Sequence, residues 1–592
     1  MAGRFGCFLW YKSKLKFQTA TVKENLVSII IDEMSIKQFI SYNSQNDTFY
    51  GYEDFGSEIF EDLKTLKHGN QVLVVMVKSL TLPWKQILGF FIASGSVAGD
   101  RLKCIVEYTI TKLSECGLIP KVVICDQGSN NLKMRKLLNV TKEKPFITYN
   151  NENVFFMHDS PHLLKSVRNN FKKYTFENAN ELYSWRDIED FYKVDCNNKP
   201  RLARKLKKSN LDLPPFSPMR VCLATQTLSN SVSAGILTLV SFNKLSARAA
   251  YTAKFVKFFN DLFDVFNSIK LNEPIVLKRP LTKNSLHWDF FKKALKFLSE
   301  LKINNKRGSL PPCIIGWQEN IIFVQMLFKE LNEKYGIEYL LMRRLTQDCI
   351  ESLFSVLRAK GGNNLTPDAS KIQSAIRMNM CNMLISPSNN ANCEKDASEF
   401  LALSKDIKTS IITLDRSYNE SEEIENIDDY YSSMNIEYIL MKDETANSVA
   451  YVTGWVCSQL DHKPCIEKLA TKDTNKKFDL DNTHIGIKEY DGCSLLYPLA
   501  KTLEFTKNVS ALFHANIENL ILKKKCNLKK DLKLIISHIC KRYSLSICED
   551  CNSKFLDKFL NVSINCYVKK CNDSFNQYKC SKNKKLKKVV HV

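Results

Sequence analysis

The first third of the chain alternates short hydrophobic runs with polar turns, which is the pattern of β-strands joined by loops. The runs lie at residues 26–31 (LVSIII), 49–55 (FYGYEDF), 72–77 (VLVVMV), 122–125 (VVIC) and 154–157 (VFFM). After the third run, residues 99–116 carry apolar side chains at helical spacing, and residues 130–138 predict a shorter helix. The pattern therefore predicts the order β-β-β-α-β-α-β.

This order predicts an antiparallel meander followed by parallel crossovers, as in an RNase H-like mixed sheet. From about residue 160 to 335 the strand pattern gives way to helical spacing, and another helix is predicted at Thr346–Arg358. We expect an α/β protein in which an RNase H-like mixed sheet is split by a large all-α insertion domain. A small, mainly helical C-terminal domain is expected to follow.

Two aspartates end hydrophobic strands in this pattern. Asp32 follows the first run and Asp126 follows the fourth. Ligands of open α/β sheets bind at the carboxyl ends of the strands, so both carboxylates are candidates for one site. Converging carboxylates repel each other unless a cation lies between them, and Mg²⁺ prefers oxygen ligands.

A third acid is expected from the helix at Thr346–Arg358. Its apolar face packs on the core, and Glu351 belongs to a separate polar stripe that leans over the strand ends. Three such carboxylates can hold two metal ions for phosphodiester cleavage. The alternative is structural: Asp32 as a strand-end cap, Asp126 as a turn residue and Glu351 as a solvated helix acid.

Composition favours an anionic partner. The 592 residues are 44% hydrophobic, which excludes global disorder, and the formal net charge is +22. The basic clusters at residues 201–208 (RLARKLKK) and 523–533 (KKKCNLKKDLK) suit phosphate contacts, or else are solvated helix faces. No apolar stretch reaches the length of a membrane span, and the nearest is Leu88–Gly99, so no membrane partner is expected.

Four strings resemble the P element transposase family, which includes the THAP-domain transposases. They are IIIDEMSIKQFISYNSQNDTFYGYEDFG (29–56), VVICDQGSNN (122–131), HDSPHLLKSVRNNF (158–171) and LTQDCIESLFSVLRAKGGNNLTP (345–367). The resemblance implies a DDE-type DNA transposase that cleaves DNA and transfers strands with Mg²⁺ or Mn²⁺. Its catalytic, metal-binding acids match Asp32, Asp126 and Glu351, the residues that the strand and helix pattern selects.

The resemblance also implies GTP as a cofactor, bound by the helical insertion. The family's nucleotide contacts match Asp159 and Lys165 in HDSPHLLK, Asp264 and Asn267 in FDVFN, and Asp348 in QDCIES. Helix-surface polar residues are the alternative interpretation. As partners, the resemblance implies transposon-end and target DNA, a homo-oligomer on that DNA, and a nuclear location.

The chain departs from the family at its beginning, where no THAP domain or coiled-coil segment is recognised. We expect a family member that lacks the N-terminal THAP domain, or alternatively a domesticated, catalytically idle nuclear DNA- and GTP-binding protein. The expected parts are an N-terminal remnant (1–24), the first part of the RNase H-like domain (25–158), the insertion domain (159–335), the part with the catalytic glutamate (336–386), a polar linker (387–444) and a Cys-rich basic region (445–592).

The last region concentrates cysteines. Cys548 and Cys551 form a C-x-x-C pair, and Cys566 and Cys571 follow, so these four are candidate ligands of a structural Zn²⁺ ion. The alternative is buried thiols in a small helical domain. His158 and His162 flank Asp159 but lack the glutamate of a metalloprotease motif, and they are interpreted as a weak metal signal.

Overall fold

The fold was analysed in a computed structural model. It describes residues 21–56, 66–198, 200–212, 220–304, 309–359, 366–382, 399–400, 443–473, 475–476, 479–488, 495–523, 527–539 and 545–589. Most of the predicted N-terminal remnant and of the predicted polar linker lies outside these residues.

A mixed sheet forms the centre of the N-terminal part, as the strand pattern predicts. The strands and helices here are β1 (Leu26–Ser35), β2 (Ser41–Asn43), β3 (Thr48–Tyr50), β4 (Gln71–Ser79), β5 (Trp84–Ala93), α1 (Gly99–Glu115), β6 (Ile119–Cys125), α2 (Ser129–Leu137), β7 (Phe146–Tyr149) and β8 (Glu152–His158). The 7-stranded sheet has the order β14-β5-β4-β1-β6-β8-β7, where β14 is Glu399–Phe400. Strands β1, β4 and β5 are antiparallel, whereas β6 pairs in parallel with both β1 and β8.

Two details of the strand prediction are wrong. The run at residues 49–55 is not a full strand of the sheet, because β3 pairs with β2 in a separate hairpin across the polar turn between them. The end of the run meets the sheet through a single antiparallel bridge between Asp54 and Ile92 of β5. The third antiparallel strand is instead β5, whose second half overlaps the apolar stretch that came nearest to a membrane span. Among the described residues, no helix is long and apolar enough to span a membrane.

Both faces of the sheet are covered, so its strands are apolar on both sides. Val27, Ile29 and Ile31 of β1 pack in one core with helix α1. Leu26, Ile30 and Met34, which alternate with them, pack in the other core with the helices that follow the sheet. This two-sided burial explains why the strands appear in the sequence as continuous hydrophobic runs.

The region after β8 is mainly helical. Its elements are α3 (Ser160–Lys173), β9 (Phe176–Asn178), β10 (Glu181–Tyr183), α4 (Trp185–Asp195), α5 (Lys208–Leu211), α6 (Val221–Thr227), α7 (Asn230–Ser241), α8 (Ala249–Phe266), β11 (Leu281–Thr282), α9 (His287–Glu300), β12 (Lys302–Ile303), α10 (Pro312–Tyr335) and β13 (Tyr339–Leu340). Short 3₁₀ turns occur at Val276–Lys278 and Met342–Leu345. Aromatic rings fill the interior, and Phe255 contacts Phe171, Phe176 and Tyr183.

The chain then returns to the sheet and continues into a helical C-terminal part. The elements are α11 (Asp348–Ala359), α12 (Ala369–Asn382), α13 (Asp443–Ser458), α14 (Lys463–Leu469), β15 (Ala470–Thr471), a 3₁₀ turn (Leu480–Asn482), α15 (Thr483–Lys488), β16 (Tyr497–Pro498), α16 (Ala500–Lys523), α17 (Leu528–Ile539) and α18 (Glu549–Val589). The observed architecture confirms the expected fold class: an RNase H-like sheet, a helical insertion and a helical C-terminal part.

Helix α18 attaches the C-terminal helices to the N-terminal part. The side chain of Asn572 accepts a hydrogen bond from the backbone N–H of Ile40 and donates one to its carbonyl oxygen, both at 2.9 Å. Phe49 and Tyr52, from the β2–β3 region, pack in the same apolar cluster as Phe555 and Tyr567 of α18. The two hydrogen bonds of the Asn572 side chain fix this contact, because they satisfy both the backbone N–H and the backbone carbonyl of Ile40.

We expect Asn572→Ala to loosen this attachment. The change removes two hydrogen bonds that typically contribute about 0.5–1.5 kcal/mol each, so stability should fall by about 1–3 kcal/mol. Urea unfolding would measure the loss, and hydrogen exchange should show faster exchange at the Ile40 amide. Ser574→Ala, at an exposed position two residues along the same helix, is the control. Equal exchange in both variants would contradict the prediction.

Candidate active site

The pairing of β1 with β6 brings two aspartates to one edge of the sheet. The strands are parallel, and Ile30 lies opposite Ile124. Asp32 and Asp126 each lie two residues further on, just past the last paired residues of the two strands. The expectation that Asp32 ends its strand is wrong, because β1 continues to Ser35 in its pairing with β4, whereas Asp126 directly follows β6. Since side chains alternate along a strand, both aspartates share the face of Ile30 and Ile124, which the insertion helices cover.

Asp126 is held by the turn that follows its strand. Its Oδ1 accepts hydrogen bonds from the Gly128 N–H at 2.8 Å and from the Asn131 amide at 2.6 Å. A Cβ at Gly128 would lie 2.9 Å from the same oxygen, so a side chain there would disturb the carboxylate. Asp32 and Asp126 line a cavity of about 150 Å³, together with Glu33 and residues 128–131.

Helix α11 brings Glu351 to the same edge, and Asp159 fixes the start of this helix. One oxygen of Asp159 accepts a hydrogen bond from the Gln347 N–H at 2.8 Å, and the other accepts one from the His162 N–H at 3.0 Å. The Gln347 side chain in turn donates to the carbonyl oxygen of Ile31 at 2.5 Å. The residue before Asp32 is therefore tied to the residues that begin α11.

His162 and Lys165, both on α3, neutralise the acids from within the chain. His162 Nε2 lies 3.1 Å from Glu351 Oε1, its Nδ1 lies 3.9 Å from Asp126 Oδ2, and Lys165 Nζ lies 3.8 Å from Glu351 Oε1. Burial lowers the pKa of His162, but the hydrogen bond to Glu351 and the negative charges of Asp159 and Glu351 together outweigh it, so the pKa is raised. Burial likewise raises the pKa of Glu351, but His162 and Lys165 bring it below the ordinary value.

Ionisation of Asp32 is unfavourable among these buried acids. Burial raises the pKa of Asp32 to about 7, and the nearby carboxylates of Glu351 and Asp126 act in the same direction. An acid with this pKa is only about half ionised at neutral pH, and a nearby cation would favour its ionised form. The donor atoms at this edge are carboxylate oxygens, which fit a hard divalent ion, and the cavity beside them has room for one.

The residues of the implied GTP site fall into two groups. Asp159, Lys165 and Asp348 lie around the base of α11, where Asp348 pairs with Arg343 at 3.2 Å and burial raises its pKa to about 7. Asp264 and Asn267 lie at the end of α8, where Asp264 is 3.4 Å from Lys278. Ser268, the next residue, accepts hydrogen bonds from the Met342 and Arg343 N–H groups, which connects the two groups.

The carboxylate of Asp159 makes its hydrogen bonds within the fold. It is 1% exposed, and both of its carboxylate oxygens accept backbone hydrogen bonds. This arrangement gives Asp159 a positioning role at the joint between α3 and α11. Its assignment as a nucleotide ligand stays a prediction.

The four cysteines proposed from the sequence as zinc ligands do not come together. Cys551, Cys566 and Cys571 all lie on α18, and at 1.5 Å per residue Cys566 is about 22 Å and Cys571 about 30 Å along the axis from Cys551. One ion cannot bind across such distances. The partners that lie close to Cys548 and Cys551 are His462 and Cys465, whose spacing gave no signal because they are about 85 residues upstream.

Two segments of the chain match known domain families. Residues 10–139 match the family described as TNP-like, RNase H N-terminal domain. Residues 161–280 match the family described as TNP-like, GTP-binding insertion domain. The second match begins where α3 begins and ends after Asp264 and Asn267.

Two curated proteins are similar over long segments. Transposable element P transposase of Drosophila melanogaster is 24% identical over 535 residues, which cover 87% of this chain and 64% of that protein. DNA transposase THAP9 of Homo sapiens is 25% identical over 258 residues, which cover 41% of this chain and 27% of that protein. The chain thus spans less than two thirds of the length of either relative.

A solved structure has the same fold. The Drosophila P element transposase strand transfer complex superposes with a TM-score of 0.55 at 22% identity, over 64% of this chain and 81% of the matched chain. The chain therefore has an RNase H-like sheet split by a helical insertion, and the insertion matches the TNP-like GTP-binding insertion family. The chain is a homologue of P element transposase and of THAP9, which confirms the resemblance seen in the four sequence strings.

The raised pKa of Asp32 predicts a stability gain for Asp32→Asn in metal-free buffer. Between about pH 4 and about pH 7 Asp32 ionises in the unfolded chain but keeps its proton in the folded chain, so the unmodified chain loses stability over this range. The advantage of the variant should therefore grow from about pH 4 to about pH 7 and then level at no more than about 4 kcal/mol. Added Mg²⁺ or Mn²⁺ should stabilise the unmodified chain but not the variant, because it binds the folded site.

Thermal unfolding with EDTA or metal across this pH range measures both effects. Asp100→Asn is the matched control, because Asp100 is an exposed acid at the start of α1. Parallel pH profiles for the variant and the unmodified chain would contradict the prediction.

Proposed function

We propose that this protein is a DDE-type, P element-like DNA transposase that carries out metal-dependent DNA strand cleavage and strand transfer. The observation that carries the proposal is that Asp32, Asp126 and the helix residue Glu351 come together: Asp32 and Asp126 line one cavity, and His162 contacts both Asp126 and Glu351. The class of its homologues supports it, since both relatives are named as transposases.

Asp32, Asp126 and Glu351 are the residues that would hold the metal. Bound there, Mg²⁺ or Mn²⁺ would supply activation of the attacking oxygen and stabilisation of the leaving oxygen in phosphodiester cleavage. The chain's own groups prepare the site: Gly128 and Asn131 orient Asp126, and the Asp159–Gln347 contact sets the position of Glu351.

DNA is the proposed substrate, and its backbone would be bound through positive charge. The segment at residues 201–208 buries Ala203 and Leu206, and its basic side chains Arg204, Lys205, Lys207 and Lys208 are exposed. In the second basic cluster, Lys529 donates to the carbonyl oxygen of Ser44, and Lys533 pairs with Asp557. The first cluster is therefore the better phosphate contact. Action on DNA implies a nuclear location.

GTP is the proposed cofactor of the insertion domain. Lys165, Asp264 and Asn267 lie within the segment that matches the GTP-binding insertion family. Lys165 would contact a phosphate oxygen and Asp264 the N–H edge of guanine. Assembly as a homo-oligomer on DNA belongs to the same proposal.

A second function is favoured by one observation. His162 and Lys165 already neutralise Glu351, and His162 also lies near Asp126, which is what a domesticated, catalytically idle nuclear DNA- and GTP-binding protein would need to keep its acids without a metal ion. The two functions share every binding property and differ in DNA cleavage.

We predict metal-dependent nicking that requires the three acids. Purified protein with Mg²⁺ or Mn²⁺ and GTP would be tested on plasmids that carry the genomic flanks of its gene, and on precut duplexes with a free 3′-hydroxyl. Loss of partners that merely orient metal ligands costs about 10–100-fold, so Asp126→Ala and Glu351→Ala should each lower the rate at least about 100-fold. Glu107→Ala, on α1, is the control.

Cleavage that survives Glu351→Ala would refute the catalytic assignment. If the unmodified chain binds DNA and GTP but nicks no substrate with either metal, the idle function is the correct one.

We also predict selective GTP binding that depends on Asp264. Loss of a hydrogen bond to a charged group costs about 1.5–3 kcal/mol, so Asp264→Ala should weaken GTP at least about 10-fold without a matching effect on ATP. Isothermal titration calorimetry measures the affinity, and Asp261→Ala, on the same helix, is the control. Asp159→Ala should instead lower the melting temperature with or without GTP. Equal GTP affinity in the Asp264 and Asp261 variants would contradict the assignment.

A further inference from the structure

Four sulfur and nitrogen ligands meet in the C-terminal helices, far along the chain from the carboxylates. They are the side chains of His462, Cys465, Cys548 and Cys551, and their ligand atoms all lie within 4.8 Å of one another. Cys465 and Cys551 are buried, whereas His462 and Cys548 are exposed, so an ion from solvent can reach the cluster.

The distances fit a tetrahedral zinc ion. With Zn–S of about 2.3 Å and Zn–N of about 2.0–2.1 Å, a tetrahedron places two sulfurs about 3.8 Å apart and a nitrogen about 3.6 Å from a sulfur. Here the Sγ atoms of Cys465 and Cys548 are 3.7 Å apart. The Nδ1 of His462 is 3.0 Å from the Sγ of Cys465 and 3.9 Å from that of Cys548.

The local sequence supplies the ligands as two short pairs. His462 and Cys465 form an H-x-x-C pair at the start of α14, and Cys548 and Cys551 form a C-x-x-C pair at the start of α18. Such pairs let two side chains reach one ion from a single turn, as in zinc sites. Three thiols and an imidazole cannot all be joined by disulfides, whereas one ion satisfies all four.

We propose that His462, Cys465, Cys548 and Cys551 bind one structural Zn²⁺ ion. Thiolate and imidazole ligands select zinc over the hard cations suited to the carboxylate cavity. Four protein ligands leave no position open for a substrate, so the site is structural. It joins the beginning of α18 to α14, while Asn572 joins a later turn of the same helix to Ile40.

The full-length chain, expressed with zinc and purified without chelator, should contain about one zinc per chain by elemental analysis. Exchange for Co²⁺ should give the intense visible bands of a tetrahedral site and a sulfur-to-cobalt charge-transfer band for three thiolates. Iron in place of zinc, no metal, or an octahedral cobalt spectrum would overturn the proposal.

Substitutions identify the ligands. Cys548→Ser with Cys551→Ser should reduce bound zinc to below about one fifth of an ion per chain, because two ligands cannot complete the site. Cys566→Ser with Cys571→Ser is the matched control on the same helix and should retain the full complement. Zinc retained in the first pair or lost in the second would refute the assignment.

A conservative substitution distinguishes the loss of a zinc ligand from misfolding of the chain. His462→Cys keeps four ligands, so zinc should remain bound while the cobalt charge-transfer band grows with the fourth thiolate. His462→Ala should weaken zinc retention against a chelator such as 4-(2-pyridylazo)resorcinol. An unchanged cobalt spectrum in His462→Cys would exclude His462 as a ligand. None of these outcomes bears on the proposed DNA cleavage, which would use Asp32, Asp126 and Glu351.

Discussion

The parallel pairing of β1 with β6 is the constraint on which the candidate site depends. Because Ile30 lies opposite Ile124, the next residues on the same face, Asp32 and Asp126, reach the sheet edge together. A shift of one residue would turn one aspartate to the opposite face, where the core around α1 is apolar. The hydrophobic residues on both faces of β1 hold this register, so packing energy fixes the position of the carboxylates.

The same arrangement is electrostatically unfavourable, because it buries several carboxyl groups close together. Asp32 is raised to a pKa of about 7 by burial and by its acidic neighbours, and Asp348, one turn before Glu351, is raised to about 7 by burial. A fold selected for stability would not gather these acids, since apolar residues would pack there without repulsion. His162 and Lys165 relieve part of the cost at Glu351 but leave Asp32 only about half ionised at neutral pH. Binding of a cation would relieve that residual cost, which is the physical link between the fold and the proposed chemistry.

Sequence patterns were most informative where one strand or helix determines the outcome. The runs that became β1, β4, β6 and β8, and the helix carrying Glu351, follow directly from local periodicity. The approach of Asp32 and Asp126 could also be predicted, since parallel strands share a carboxyl edge. His162 was underestimated because its partners, Asp126 and Glu351, lie on two other elements of the fold. The roles of Gln347 and Asp159 as a joint between β1, α3 and α11 likewise depend on contacts across more than 180 residues.

The cysteines also show that sequence patterns do not reveal contacts between residues far apart in the chain. Grouping Cys548 and Cys551 with the cysteines that follow them assumed that neighbours in sequence are neighbours in space. That assumption fails in a continuous helix, because two residues fifteen positions apart are separated by about 22 Å along the helix axis and cannot bind the same ion. Ligands can converge on Cys551 only from another element that meets the beginning of α18, and α14 does so with His462 and Cys465. The proposed zinc site and the proposed carboxylate metal site thus lie on different elements and would bind different cations. Metal binding at one site therefore does not depend on metal binding at the other.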